Sequence, residues 1–180
     1  MMTLANRITL LRIALIPVFV ILYLQEQKYP HLHNWTLGVF AFAILTDLLD
    51  GLAARMRGEK TPLGSFLDPL ADKLLLLASF VLFTYTERIG LWVFVVVFSR
   101  DLIIVLGWTL IYILTSSSAI KPRLAGKTCT FFQMSSSIAL LFPVPDALTL
   151  WIVRVMVVLT VISAVDYMMV GSKRLEPIPR

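Results

Sequence analysis

Charge is scarce in this chain. Only 15% of its 180 residues are Asp, Glu, Lys or Arg, while 58% are apolar and the mean hydropathy is +0.86. A soluble domain carries about a quarter charged residues and about half apolar ones. The imbalance argues against a soluble enzyme, a disordered tail and a coiled coil, and for a protein that takes lipid as its solvent. Cysteine is scarcer still. Cys129 stands alone, so no intramolecular disulfide can form and a disulfide scaffold is excluded. There is also no long linker, no low-complexity run and no clear internal repeat. One domain is expected for this length, over residues 1–172, followed by a short cytoplasmic tail over 173–180.

What is present is a series of apolar runs. A spanning helix needs about 20 mostly apolar residues, and six runs are candidates: about 8–24, 35–55, 68–85, 91–114, 128–142 (a short one) and 147–170. The expected fold is all-α, an integral membrane bundle of six transmembrane helices. The first run lacks the small-residue cleavage site of a secretory signal, since Gln25-Glu26-Gln27-Lys28 follows it, and it reads as a retained helix.

The basic residues orient the bundle. The net charge is +5 with a pI near 9.6. In a membrane protein the distribution of charge matters more than its total. With the N-terminus inside, Arg7, Arg12, Arg55, Arg57, Lys60, Lys73, Lys121, Arg123, Lys127, Lys173, Arg174 and Arg180 fall on the inner side. Only Lys28 and Arg88 fall in outer loops. The bias requires an even number of spans and puts both termini in the cytoplasm. The expected partner of this charge is anionic lipid or a phosphorylated substrate, and not nucleic acid.

Six carboxylates lie in or at the edge of apolar runs: Asp47, Asp50, Asp68, Asp72, Asp101 and Asp166. An ionised group there costs several kcal/mol and marks function by default. At 1.5 Å per residue, Asp47 and Asp50 lie about 18 and 22 Å below Trp35. Asp72 and Asp68 lie about 21 and 27 Å below Thr86. The two pairs thus reach similar depth on consecutive antiparallel helices. Asp47, Asp50, Gly51 and Ala54 share one helical stripe. Asp68 and Asp72 are i and i+4 on another, which Gly64 would join if the helix begins there. Four carboxylates in one place need neutralising. Two divalent cations would do so, and aspartate oxygens suit hard ions such as Mg²⁺ or Mn²⁺. The plainer alternative pairs these carboxylates with Arg55, Arg57, Lys60 and Lys73.

The run Asp47-x-x-Asp50-Gly51-x-x-Ala54-Arg55, eight residues, then Gly64-x-x-x-Asp68-x-x-x-Asp72 resembles the signature of the CDP-alcohol phosphatidyltransferase family. All eight of its fixed positions are filled within 26 residues. The resemblance implies transfer of a phosphatidyl group from CDP-diacylglycerol to an alcohol, with release of CMP. It implies two divalent metals on Asp47, Asp50, Asp68 and Asp72, with Asp72 as the general base. It implies that Gly51, Ala54, Arg55 and Gly64 accommodate the cytidine and diphosphate of the donor. It also implies a homodimer. Short loops and the absence of a transit peptide favour a bacterial plasma membrane, with the active site facing the cytoplasm.

The signature does not choose the acceptor. Asn6-x-x-Thr9-Leu10-x-Arg12 with Pro17, and Gly126-Lys127-x-x-Thr130-x-x-Gln133, resemble the branch of the family that uses glycerol 3-phosphate. In that branch basic residues matching Arg100 and Lys127 receive the acceptor phosphate, as a planar fork and a point charge can. Ser99-Arg100-Asp101 departs from that branch and is more similar to the branch whose acceptor is phosphatidylglycerol. Without a substrate, Arg100 would pair with Asp101 or Asp166, and Lys127 would be an ordinary positive-inside anchor. Arg154, about 10 Å into its span, can snorkel outward.

A different class, an ion-coupled transporter, would also place carboxylates and an Arg in the membrane. It lacks support from any inverted repeat or matched pair of broken helices. His31 and His33 form a His-x-His with no Cys or acidic residue beside it to complete a metal site, and read as a solvated loop.

Overall fold

The computed structural model describes residues 4–57, 62–115 and 124–175, with side chains described over 7–46, 70–107 and 124–170. Its elements are α1 (Leu4–Glu26), α2 (His33–Arg57), α3 (Pro62–Tyr85), α4 (Leu91–Thr115), α5 (Leu124–Leu141) and α6 (Asp146–Leu175), with a single 3₁₀ turn over Pro30–Leu32. The described residues contain no strand. Each expected apolar run is one helix. Among the described residues two of these, within Arg7–Glu26 and Asp146–Val170, are long and apolar enough to cross a membrane, with mean hydropathies of 2.1 and 2.3.

The helix starts matter for the site. Pro62 opens α3, where its fixed φ suits the first turn and its missing N–H would have had no partner in any case. The helix therefore begins before Gly64 and carries Gly64, Asp68 and Asp72 at four-residue spacing. At the other end of α3, Glu87 has φ 59°, the left-handed residue that commonly ends a helix. α6 takes in Lys173 and Arg174, the first residues of the expected tail.

The chain divides into two compact units, Met1–Thr86 and Glu87–Arg180. In the first, α2 and α3 both pack on α1. The buried face of α1 runs through Thr9, Arg12, Phe19, Tyr23 and Glu26, at helical spacing. It meets Phe40 on α2, 5.1 Å from Phe19 between ring centroids, and Phe83 on α3, edge-on to Tyr23 at 5.8 Å. The Tyr23 hydroxyl closes this aromatic core with a 3.0 Å hydrogen bond to Thr86 Oγ1.

The second unit is built differently. α6 packs on both α4 and α5. The facing stripes are small and polar: Gly126, Cys129, Ser136 and Ser137 on α5, and Thr160 and Ser163 on α6. Small residues every three or four positions let helices approach closely. Cys129 Sγ lies 3.4 Å from Thr160 Oγ1, and Thr160 donates to the Met156 carbonyl at 2.7 Å. Cys129 is fully buried and serves packing.

Outward faces of all six helices carry exposed large apolar side chains, among them Ile21, Phe42, Val81, Val105, Phe131 and Val161. Apolar surface on every helix of a bundle is what a lipid solvent selects.

Candidate active site

In the first unit α1 supplies the residue around which the site is organised. Arg12 is fully buried. Its NH1 donates to Asp72 Oδ1 on α3 at 2.5 Å, and its Nε points to Thr46 Oγ1 on α2 at 3.4 Å. Thr46 can accept because its own hydroxyl proton goes to the Ala43 carbonyl, at 2.7 Å. A guanidinium is a rigid planar fork. Here its two arms tie α2, one residue before Asp47, to α3 at Asp72. One side chain of α1 thus links the two helices on which the carboxylate pattern lies.

The contact also constrains Asp72. A carboxylate offers two oxygens and about four lone-pair positions. Arg12 at Oδ1 orients the group without exhausting its capacity, and the side chain is 31% exposed. Removal of one partner from a buried ion pair typically costs about 3–5 kcal/mol. Because Asp72 is a third exposed, the lower end of that range applies here.

Of the residues implicated by sequence, Asp72 lies among those whose side chains are described. Asp47, Asp50 and Gly51, with Ala54 and Arg55, lie on α2, and Gly64 and Asp68 lie on α3. Their side chains lie outside the described residues. No group of three potential metal ligands occurs among the described residues. Asp72 offers carboxylate oxygens of the kind hard divalent ions take, and Arg12 links α3 to α2, the helices that carry the remaining carboxylates of the pattern.

In the second unit Arg100 is 4% exposed. NH1 donates to Asp101 Oδ1 at 2.5 Å, and NH2 donates to Ser163 Oγ at 3.0 Å. Its guanidinium carbon is 6.0 Å from the centre of the Tyr167 ring. Of the arrangements open to it from sequence, the pair with Asp101 is the one formed. The backbone of Gly126 comes so near that an added Cβ would sit 3.0 Å from Tyr167 Oη and 3.4 Å from Arg100 NH2. The glycine thus sets Arg100 against α5 at the residue preceding Lys127. Lys127 is exposed and makes no hydrogen bond among the described residues.

Sequence reading counted Arg12 only as an inner-side charge and as part of an N-terminal pattern. The signal for more was present, because a lone Arg inside an apolar run needs an anion. Thr46, Ser163 and Tyr167 gave no comparable signal. The expectation that no acidic residue stands near His31 and His33 is corrected: the Glu26 carboxylate, almost buried, lies 3.4 Å from His33 Nδ1. The end of α1 and the start of α2 are brought together there by the short turn between them.

Comparison with known proteins gives a family match. The model for CDP-alcohol phosphatidyltransferase matches residues 2–164. A Bacillus subtilis protein named CDP-diacylglycerol–glycerol-3-phosphate 3-phosphatidyltransferase is 33% identical, over 93% of this chain and 94% of its own length. An Aquifex aeolicus protein of the same name is 29% identical over 96% and 97%. A rat protein named cardiolipin synthase (CMP-forming) is 42% identical, but over 57% of this chain and 33% of its own.

Proposed function

The chain belongs to the CDP-alcohol phosphatidyltransferase family, and from that membership we propose that it transfers the phosphatidyl group of CDP-diacylglycerol to glycerol 3-phosphate, giving phosphatidylglycerophosphate and CMP. The observation that carries this reading is the end-to-end similarity to relatives named for that acceptor. The cardiolipin synthases match over 57% to 74% of the chain, short of the end-to-end match. They support a second reading, with phosphatidylglycerol as acceptor, through Ser99-Arg100-Asp101 and the ion pair it forms.

The setting is a membrane bundle of six spans with both termini in the cytoplasm, supported by the apolar outward faces and the one-sided basic residues. In this setting the acyl chains of the donor stay in lipid while its head group reaches the carboxylates at the cytoplasmic side. We expect a homodimer in a bacterial plasma membrane.

The acceptor hydroxyl attacks the phosphorus that bears diacylglycerol. A new P–O bond forms, the bond to CMP breaks, and CMP leaves with the electron pair. Asp72 accepts the hydroxyl proton as attack proceeds. Arg12 holds Asp72 by one oxygen and so fixes the direction from which the hydroxyl must approach. Asp47, Asp50, Asp68 and Asp72 would hold two Mg²⁺ or Mn²⁺ ions, whose contribution is to spread charge at phosphorus and steady the leaving group. Gly51, Ala54, Arg55 and Gly64 would admit the cytidine diphosphate. Lys127, exposed on α5, meets the acceptor phosphate, and Arg100 backs it, set against α5 at the preceding residue.

Purified protein supplied with CDP-diacylglycerol, a divalent metal and separate acceptors tests the reading. Phosphatidylglycerophosphate with stoichiometric CMP is expected from glycerol 3-phosphate, and no turnover from serine or inositol phosphate. Cardiolipin from phosphatidylglycerol would replace the first reading by the second. No CMP with any acceptor, from folded protein with metal, would overturn both and favour a transporter.

A further inference from the structure

At the end of the second unit where α4 begins, α5 ends and α6 begins, the structure holds a cavity of about 840 Å³. It is about 21 Å along α5 from Gly126, and no step of the proposed reaction uses it. Its walls are largely apolar, with Trp92, Val93, Phe142 and Val153 among them, but it also contains Arg88 and Arg154, opposed by Asp146 alone. A volume of this size suits a small organic ligand.

The two arginines are the unusual feature. Arg154 lies eight residues into α6, about 12 Å from its start, inside the window of mean hydropathy 2.3. It makes no hydrogen bond or ion pair among the described residues, and Arg88 makes no ion pair there. Arg88 donates from NH1 to the Leu140 carbonyl, satisfying the last turn of α5. A guanidinium has five N–H donors, so most of its capacity remains. Asp146 stands in the first turn of α6, where a carboxylate is favoured by the helix dipole. Arg88, Arg154 and Asp146 are all exposed at the open side of this apolar-walled cleft, and two cations against one anion leave it a net positive charge that attracts an anion where it faces lipid.

We propose that this cavity is a binding site for an anionic phospholipid. Its phosphodiester bridges Arg88 and Arg154, and the upper acyl chains lie against Trp92, Val93 and Val153. A monoanionic phosphodiester neutralises the cavity, whereas a zwitterionic head group does not. Because Lys127, at the far end of α5, faces the cytoplasm in the function proposed above, the lipid belongs to the outer leaflet. The site rests on that membrane reading and not on the identity of the acceptor.

Tryptophan quenching by brominated lipid tests it. The full chain with Trp35→Phe, Trp108→Phe and Trp151→Phe keeps Trp92 as its one reporter. It would be placed in dioleoylphosphatidylcholine vesicles containing a tenth of dibrominated phosphatidylglycerol or dibrominated phosphatidylcholine. Trp92 is expected to see phosphatidylglycerol enriched at least fivefold over phosphatidylcholine. Arg154→Gln should reduce the enrichment to less than twofold, and Arg154→Lys should keep most of it. A chain retaining Trp151 alone, exposed on α6, should show no preference. Equal quenching of Trp92 by both lipids would overturn the proposal, as would an enrichment untouched by Arg154→Gln. Protection of Trp92 from both lipids would assign the face to a second copy and overturn it too. CMP release by Arg154→Gln should stay within twofold of the parent. A loss of release in the parent itself would instead count against the proposed reaction, so the two failures are separable.

Discussion

The two units of this chain are both three-helix assemblies, yet they are held by opposite means. Unit 1, Met1–Thr86, has an aromatic interior built on Phe19, Tyr23, Phe40, Phe80 and Phe83, with one fully buried guanidinium at its site. Unit 2, Glu87–Arg180, replaces rings with glycine, serine, threonine and cysteine along the α5–α6 contact. Bulk fixes helix positions by shape. Small residues fix them by proximity and hydroxyl contacts that are individually weak. The difference suits the division of labour proposed above, with donor chemistry in one unit and acceptor recognition in the other. The unit carrying the carboxylate pattern needs rigid register between two helices. The unit carrying Arg100 and Lys127 needs room beside a backbone.

That contrast can be broken at its strongest point first. Asp72→Asn removes the proposed base while preserving shape, and is expected to lower CMP release about 10²–10⁴-fold with every acceptor, measured by quantifying CMP. Arg12→Met removes the tie between α2 and α3. It should destabilise the protein by about 3 kcal/mol and depress CMP release with all acceptors alike. Arg12→Lys should recover stability only partly, because an ammonium lacks the fork. Thermal unfolding in detergent alongside the CMP assay reads both effects.

Packing sharpens the comparison next. Phe83→Ala in unit 1 is expected to cost about 3–5 kcal/mol. Ser137→Ala in unit 2 should cost less than about 1 kcal/mol, because its hydroxyl only donates back to the Gln133 carbonyl one turn earlier in α5. Equal losses in denaturant titrations would remove the distinction. The smallest effect is expected between the units. Glu87→Gly relieves the φ of 59°, but glycine also widens the unfolded ensemble. A net stabilisation of under about 1 kcal/mol, with unchanged turnover, should result.

Much of this was legible in sequence for a physical reason. A helix satisfies its own backbone in apolar surroundings, and each of the six apolar runs is one helix. The ends were harder to place, because α3 begins at Pro62 and α5 at Leu124, in sequence more polar than the runs themselves. Sequence singles out Asp72 because a carboxylate in an apolar run needs a partner. Its tie to Arg12 was not legible, since the two are 60 positions apart and only the packing of α3 on α1 joins them. Arg100 shows the same limit. Sequence offered Asp101, Asp166 or a substrate as its anion, and the packing of α6, which brings Ser163 and Tyr167, accompanies the pair with Asp101. For Asp47, Asp50 and Asp68 the spacing on their helices remains the basis of the assignment.

The division of labour is tested most directly by steady-state kinetics in which CDP-diacylglycerol and glycerol 3-phosphate are titrated separately in Lys127→Gln and Arg12→Met. Lys127→Gln is predicted to raise KM for glycerol 3-phosphate about tenfold and leave KM for the donor within twofold. Arg12→Met is predicted to lower kcat while KM for glycerol 3-phosphate holds. If Lys127→Gln shifted donor and acceptor constants together, or Arg12→Met raised only the acceptor's KM, the assignment of donor chemistry to one unit and acceptor recognition to the other would be wrong.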